Sequence, residues 1–120
     1  MRVLPFALAA SIFVLPGCTG FLDFFDRGRV SGQLAADAFA SGNYSTAITL
    51  WMPLANRGDP VAQFNLGFML EEGKGTPRDY QGAARWYRLS ADQGYSNAQY
   101  NLGKLYQEGL GLAPDTLSAA

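Results

Sequence analysis

Apolar side chains recur at helical spacing through the middle of the chain. Ala62, Leu66, Met69 and Leu70 mark one stripe over residues 61–72, and Ala83, Ala84, Trp86, Tyr87 and Ala91 mark a second, closing at Gly94. Between them Gly73-Lys74-Gly75-Thr76-Pro77 breaks any helix. The pattern predicts a helix A, a turn and a helix B, with Asp79 as N-cap of B and Gly94 taking the left-handed conformation after it. Gly67 lies inside helix A, where glycine costs about 1 kcal/mol against alanine in an isolated helix. Its place implies close approach of the partner helix. Ala62, Ala83 and Ala84 suit the same tight crossing, while Trp86 and Tyr87 supply large area for burial.

The pattern repeats. A shift of 36 residues lays Ala62-Gln63-Phe64-Asn65-Leu66-Gly67 over Ala98-Gln99-Tyr100-Asn101-Leu102-Gly103. Glu72, Gly73, Gly75 and Asp79 fall on Glu108, Gly109, Gly111 and Asp115. Tyr44, Ala47, Ala55 and Gly58 fall on Tyr80, Ala83, Ala91 and Gly94, which places a more divergent unit in front. That first unit has 13 residues from Leu34 to Ala47 where the second has 17 from Leu66 to Ala83, so it lacks a four-residue, glycine-rich insertion. Phe39 and Tyr44 are expected to close its helix pair around Ser41-Gly42-Asn43. The last unit is incomplete: Ala119 and Ala120 align with Ala83 and Ala84, before any equivalent of Trp86 and Tyr87. The last A helix is then expected to present an uncovered apolar face, as a truncated fragment of a longer array or as a face that binds something.

These residues, the Ala62 to Gly67 motif, the Gly73-Lys74-Gly75 turn, Asp79-Tyr80, Ala83-Ala84, Trp86-Tyr87 and the Ala91 to Gly94 ending, resemble the Sel1-like repeat, a relative of the tetratricopeptide repeat. The resemblance covers most of residues 31–120 and implies an all-α fold, an α-α superhelix of helix-turn-helix units. The segment from Asn43 to Ala55 resembles the opening unit of secreted bacterial members, in which a proline follows the tryptophan by two. Pro53 is accordingly expected to kink or shorten its helix.

Residues 1–17 read as an export signal, one Arg followed by an uncharged apolar run. Leu15-Pro16-Gly17-Cys18 resembles the lipobox of bacterial lipoproteins, which implies lipidation of Cys18, with residues 18–30 as lipidated N-terminus and linker. The alternatives are an ordinary cleaved signal with a spare cysteine and, disfavoured by Pro5, Pro16, Gly17 and Gly20, an uncleaved anchor. Thr19, following the cysteine, favours the periplasmic face of the outer membrane within that resemblance. Phe21, Leu22, Phe24 and Phe25 suit either a tether at the membrane interface or a cap on the first helix.

Composition narrows the chemistry. The 120 residues hold nine Lys and Arg against ten Asp and Glu, a net charge of -1 with no basic cluster, so nucleic acid is not an expected partner. One cysteine and no histidine remove a Cys/His zinc site, a Ser-His-Asp triad and an internal disulfide. No metal and no cofactor is expected. Glu71-Glu72 is an adjacent carboxylate pair, but consecutive helical residues point about 100 degrees apart, so the pair is expected as a solvated helix end. Gly73-Lys74-Gly75 lacks the Gly-Lys-Ser/Thr ending of a phosphate loop. Some cysteine-rich members of the resembled family are beta-lactamase-like, and a cell-envelope hydrolase stands as the alternative function.

A surface remains as the candidate site. Stacked helix pairs curve so that the A helices line a concave face. On it Phe64, Phe68 and Glu71 follow i, i+4, i+7, with Tyr100, Lys104 and Gln107 as their repeat mates. Aromatics at the floor and mixed charges at the rim suit a protein or peptide partner. Equally, Phe64 and Tyr100 are candidates for packing between repeats. The expected function is a non-catalytic interaction module, an exported, lipid-anchored adaptor or scaffold.

Overall fold

A computed structural model describes residues 19–111, with side chains from residue 27 onward. The expected signal, Cys18, the side chains of Phe21, Leu22, Phe24 and Phe25, and the incomplete last unit beyond residue 111 lie outside the described residues. Five helices and no strand occur among the described residues: α1 (Thr19–Ala40), α2 (Tyr44–Asn56), α3 (Pro60–Glu72), α4 (Tyr80–Asp92) and α5 (Ser96–Gln107). The chain divides into two compact units, residues 1–30 and 31–120, and the repeats occupy the second. The backbone is already helical from Thr19, so residues 19–30, expected as a linker, belong to α1.

Short side chains and glycines set the helix ends. Asp59 Oδ1 accepts from the backbone N–H of Val61 at 2.9 Å and of Ala62 at 3.2 Å, and Pro60 occupies the first turn, where its missing N–H costs nothing. Asp79 caps α4 in the same way, accepting from Gly82 N at 2.9 Å. Gly94, after α4, has φ +88°. Pro53 does not shorten its helix: α2 has 13 residues, as do α3 and α4. Pro53 is exposed, its ring meets solvent, and only the bond it would have given Thr49 is lost. Leu54 and Ala55 are buried and keep the last turn docked.

Helix α2 packs on α3, α3 on α4 and α4 on α5, so the A helix α3 serves the B helix on either side of it. Gly67 explains how α3 and α4 approach. A Cβ there would lie 2.7 Å from the ring carbons of Tyr87, whose side chain is fully buried. Trp86, expected to be buried with it, is half-buried and packs instead on the core around Trp51, Leu54, Leu66 and Met69.

Two contacts recur one repeat apart. Gln63 Nε2 donates to the Ala55 carbonyl at 3.1 Å and Gln99 Nε2 to the Ala91 carbonyl at 3.1 Å, each A helix thus tying off the end of the B helix before it. The long turn recurs as well. A Cβ on Gly75 would stand 2.7 Å from Tyr44 Cβ, and one on Gly111 2.6 Å from the Tyr80 carbonyl oxygen. Each glycine turn therefore lies against the start of the preceding unit's B helix, and Lys74 Nζ sits 5.1 Å from the Tyr44 ring centroid. The first unit turns in three residues, and its Phe39 and Tyr44 rings meet at 5.3 Å, as their spacing predicts.

Candidate functional site

Three A helices and one B helix enclose a hollow of about 250 Å³, lined by Phe39, Trp51, Phe64, Asn65, Phe68 and Asn101. Phe39 stands edge-on to Phe68 with ring centroids 6.1 Å apart, and lies 6.0 Å from Trp51. Phe64 is half-buried and also packs between repeats, 5.6 Å from Tyr87 and 5.4 Å from Tyr95. Four aromatic rings and two carboxamides thus form the lining, and no charged residue does.

The six residues singled out from the sequence are distributed unevenly. Phe64 and Phe68 line the hollow, as one turn of α3 places them on one side. Tyr100 and Gln107 are exposed and do not line it. Tyr100 is the repeat mate of Phe64, yet it is 66% exposed. Glu71 and Lys104 are brought together as an ion pair with 3.6 Å between Oε2 and Nζ.

Glu71 overturns the expectation of a solvated helix end. It is 8% exposed, and its Oε1 accepts from the Tyr87 hydroxyl at 2.6 Å. Asn101 Nδ2 in turn donates to the Tyr87 oxygen at 3.1 Å. Burial of Tyr87 raises its phenol well above the ordinary range, the bond to Glu71 raises it further, and the Asn101 bond acts in the opposite direction. The phenol is therefore held neutral, the reverse of what nucleophilic activation requires. The sequence pattern leaves Glu71 solvated because its partners, Tyr87 on α4 and Lys104 on α5, are distant in sequence. Glu72, its neighbour, is exposed.

Asn65 and Asn101 were overlooked although they stand in the repeated motif itself. A polar residue kept at the same place in both copies, one position after Phe64 and Tyr100, was the available signal. Among the described residues no group of three Asp, Glu or Cys side chains gathers in a way that could hold a metal ion, and no helix is long and apolar enough to cross a membrane.

The pattern of the Sel1 repeat matches residues 60–95 and 96–120. The chain belongs to the Sel1 repeat family. Two solved Sel1-type structures superpose on it. One is c5321, a protective antigen present in uropathogenic Escherichia coli strains and displaying an SLR fold. It is 38% identical at a TM-score of 0.67, over 72% of this chain and 19% of that one. The other is a Sel1 repeat protein from Oxalobacter formigenes, 29% identical at a TM-score of 0.65, over 70% of this chain and 36% of that one. The DAP3-binding cell death enhancer 1 proteins of Rattus norvegicus and Mus musculus share 40% identity over 50 residues, 42% of this chain. The match takes in 10% of each of those curated relatives. Sel1 repeats are in general non-catalytic protein-interaction modules, and the all-α helical repeat architecture expected from the sequence is the one observed.

Proposed function

We propose that this chain is a protein-binding adaptor whose partner docks on the A-helix side, over the hollow between α1, α3 and α5. The observation that carries this is the lining: Phe39, Phe64 and Phe68 beside Trp51, with two carboxamides, gather aromatic surface of the kind that anchors protein contacts. Glu71 is locked to Tyr87 and Lys104, so it supports the floor and does not reach a partner, whereas Lys104, 42% exposed, stands at the rim. Tyr100 and Gln107 extend the exposed surface of α5. One curated relative carries a binding role in its name, DAP3-binding, which agrees in kind with an interaction module.

The adaptor is further proposed to be exported and anchored through Cys18 at the periplasmic face of the outer membrane, on the strength of the signal-like and lipobox-like segments. Palmitate labelling of wild type against Cys18→Ser tests this. Label on wild type alone is expected, and equal label on both rejects the anchor.

For the binding face, partners captured by cross-linking in the native envelope are to be re-tested against Phe68→Ala and Lys104→Gln. A charge reversal at Lys104 is avoided because it would set a second carboxylate beside the buried Glu71. A drop in capture of about tenfold for Phe68→Ala is expected if the ring is a hot spot. Unchanged capture with both variants refutes the face.

A further inference from the structure

Helix α1 carries an exposed stripe where its repeat mate α3 is covered. The inner side of α1 packs on the array: Ala35 is fully buried, and a Cβ on Gly32 would lie 3.8 Å from Leu54 Cδ1. Another side carries Arg27, Val30, Leu34 and Asp37, at successive spacings of 3, 4 and 3 residues on one continuous helix. Val30 is 55% exposed and Leu34 51%, and Arg27 and Asp37 are exposed as well. Leu34 is the repeat mate of Leu66, so Val30 and Asp37 fall on Ala62 and Met69. On α3 those three positions are buried in the core that holds Trp51, Leu54 and Ala55 of α2. On α1 two aliphatic side chains meet water instead, and a carboxylate stands at the place of Met69.

We infer that this face binds the same face of a second copy, the two α1 helices running antiparallel about a two-fold axis. The stripe is its own complement when reversed. Its spacing reads the same in both directions, with the aliphatic pair at the centre and opposite charges at the two ends. Antiparallel pairing sets Val30 against the partner's Leu34, in the manner of a short coiled coil, and Arg27 beside the partner's Asp37. Each contact then occurs twice, as a two-fold axis requires. Parallel pairing would put Arg27 beside the partner's Arg27 and Asp37 beside the partner's Asp37, so charge selects the direction. Gln33 Nε2 donates to Asp37 Oδ1 at 3.0 Å, which orients the carboxylate and leaves Oδ2 for the guanidinium. None of the four stripe residues lines the hollow, so the inference does not rest on the binding face proposed above. A contact of about three helical turns belongs to the weak, transient class of interfaces. Its exposed ion pairs are weakened by salt, while its aliphatic centre is not.

The test uses the full chain with Cys18→Ser, so that no native thiol interferes. Sedimentation equilibrium up to about 1 mM should show a monomer–dimer equilibrium. Arg27→Asp or Asp37→Arg alone is expected to weaken dimerisation about fivefold or more, since each pair occurs twice and becomes a like-charge contact. The double reversal, Arg27→Asp with Asp37→Arg, should recover most of the wild-type affinity. Leu34→Ser should weaken the dimer in low and high salt alike. All four variants change exposed side chains and should melt within a few degrees of the parent, which separates loss of pairing from loss of folding. Disulfide trapping reads the direction. A mixture of Val30→Cys and Leu34→Cys chains should cross-link to each other faster than either does to itself, whereas Thr49→Cys, exposed on α2, should not cross-link. A chain that stays monomeric throughout the range overturns the inference. So does Val30→Cys cross-linking chiefly to itself, which marks a parallel pair, and so does a dimer that the single reversals leave intact, which lies on another face.

Discussion

Tyr87 is the side chain on which the second and third units meet. Its ring fills the space that Gly67 leaves, and its hydroxyl both donates to Glu71 and accepts from Asn101. With the phenol raised in the folded state, the unfolded chain, ionising near pH 10, loses its proton first. The stability held in this group is whole below that pH and drains away as pH rises beyond it. An alkaline spectrophotometric titration should therefore find one of the six tyrosines neutral until the chain unfolds. The same titration of Tyr87→Phe should show no such delayed group. At neutral pH Tyr87→Phe is expected to lower unfolding stability by about 1–3 kcal/mol in urea, because buried Glu71 loses its hydroxyl donor and keeps only Lys104.

Among the elements, the long turns carry a packing role. Gly75 and Gly94 both have positive φ, at +74° and +88°, but only Gly75 faces a neighbour within 4 Å. Gly94→Ala should cost about 1–2 kcal/mol for the left-handed backbone alone. Gly75→Ala should cost that plus about 1–3 kcal/mol for overpacking against Tyr44 and Ile48. Chemical denaturation of the two variants side by side checks the order. The helices themselves were legible in the sequence, since Ala62, Leu66 and Met69 advertise a buried stripe and Asp59, Asp79 and the glycines are local devices. Contacts made across units were not. Glu71 reads as solvated until Tyr87 and Lys104 meet it, Trp86 reads as fully buried until it is seen half-buried on the core around Trp51, and Asn65 reads as one more polar helix residue. Phe64 and Phe68 were found because one turn of one helix brings them together. Tyr100 was grouped with them by repeat arithmetic, yet its surroundings differ from those of Phe64, and the ring is left in solvent.

At the scale of the molecule, stability is a sum over neighbours, since each helix of the array packs on the next. Native-state hydrogen exchange should accordingly be slowest in α3 and α4, each packed on two helices, and faster in α5, which among the described residues packs on α4 alone. Equal protection of α3 and α5 would contradict a nearest-neighbour array. The glycine turns give this array a polarity. Gly75 reaches back to Tyr44, and Gly111 reaches back to Tyr80, but the three-residue turn of the first unit has no such arm. Moved by recombination to an interior slot, that unit would leave its predecessor's B helix without the backbone that elsewhere shields it, and water would enter along the seam. The order in which units can be shuffled is thus written into the length of a loop.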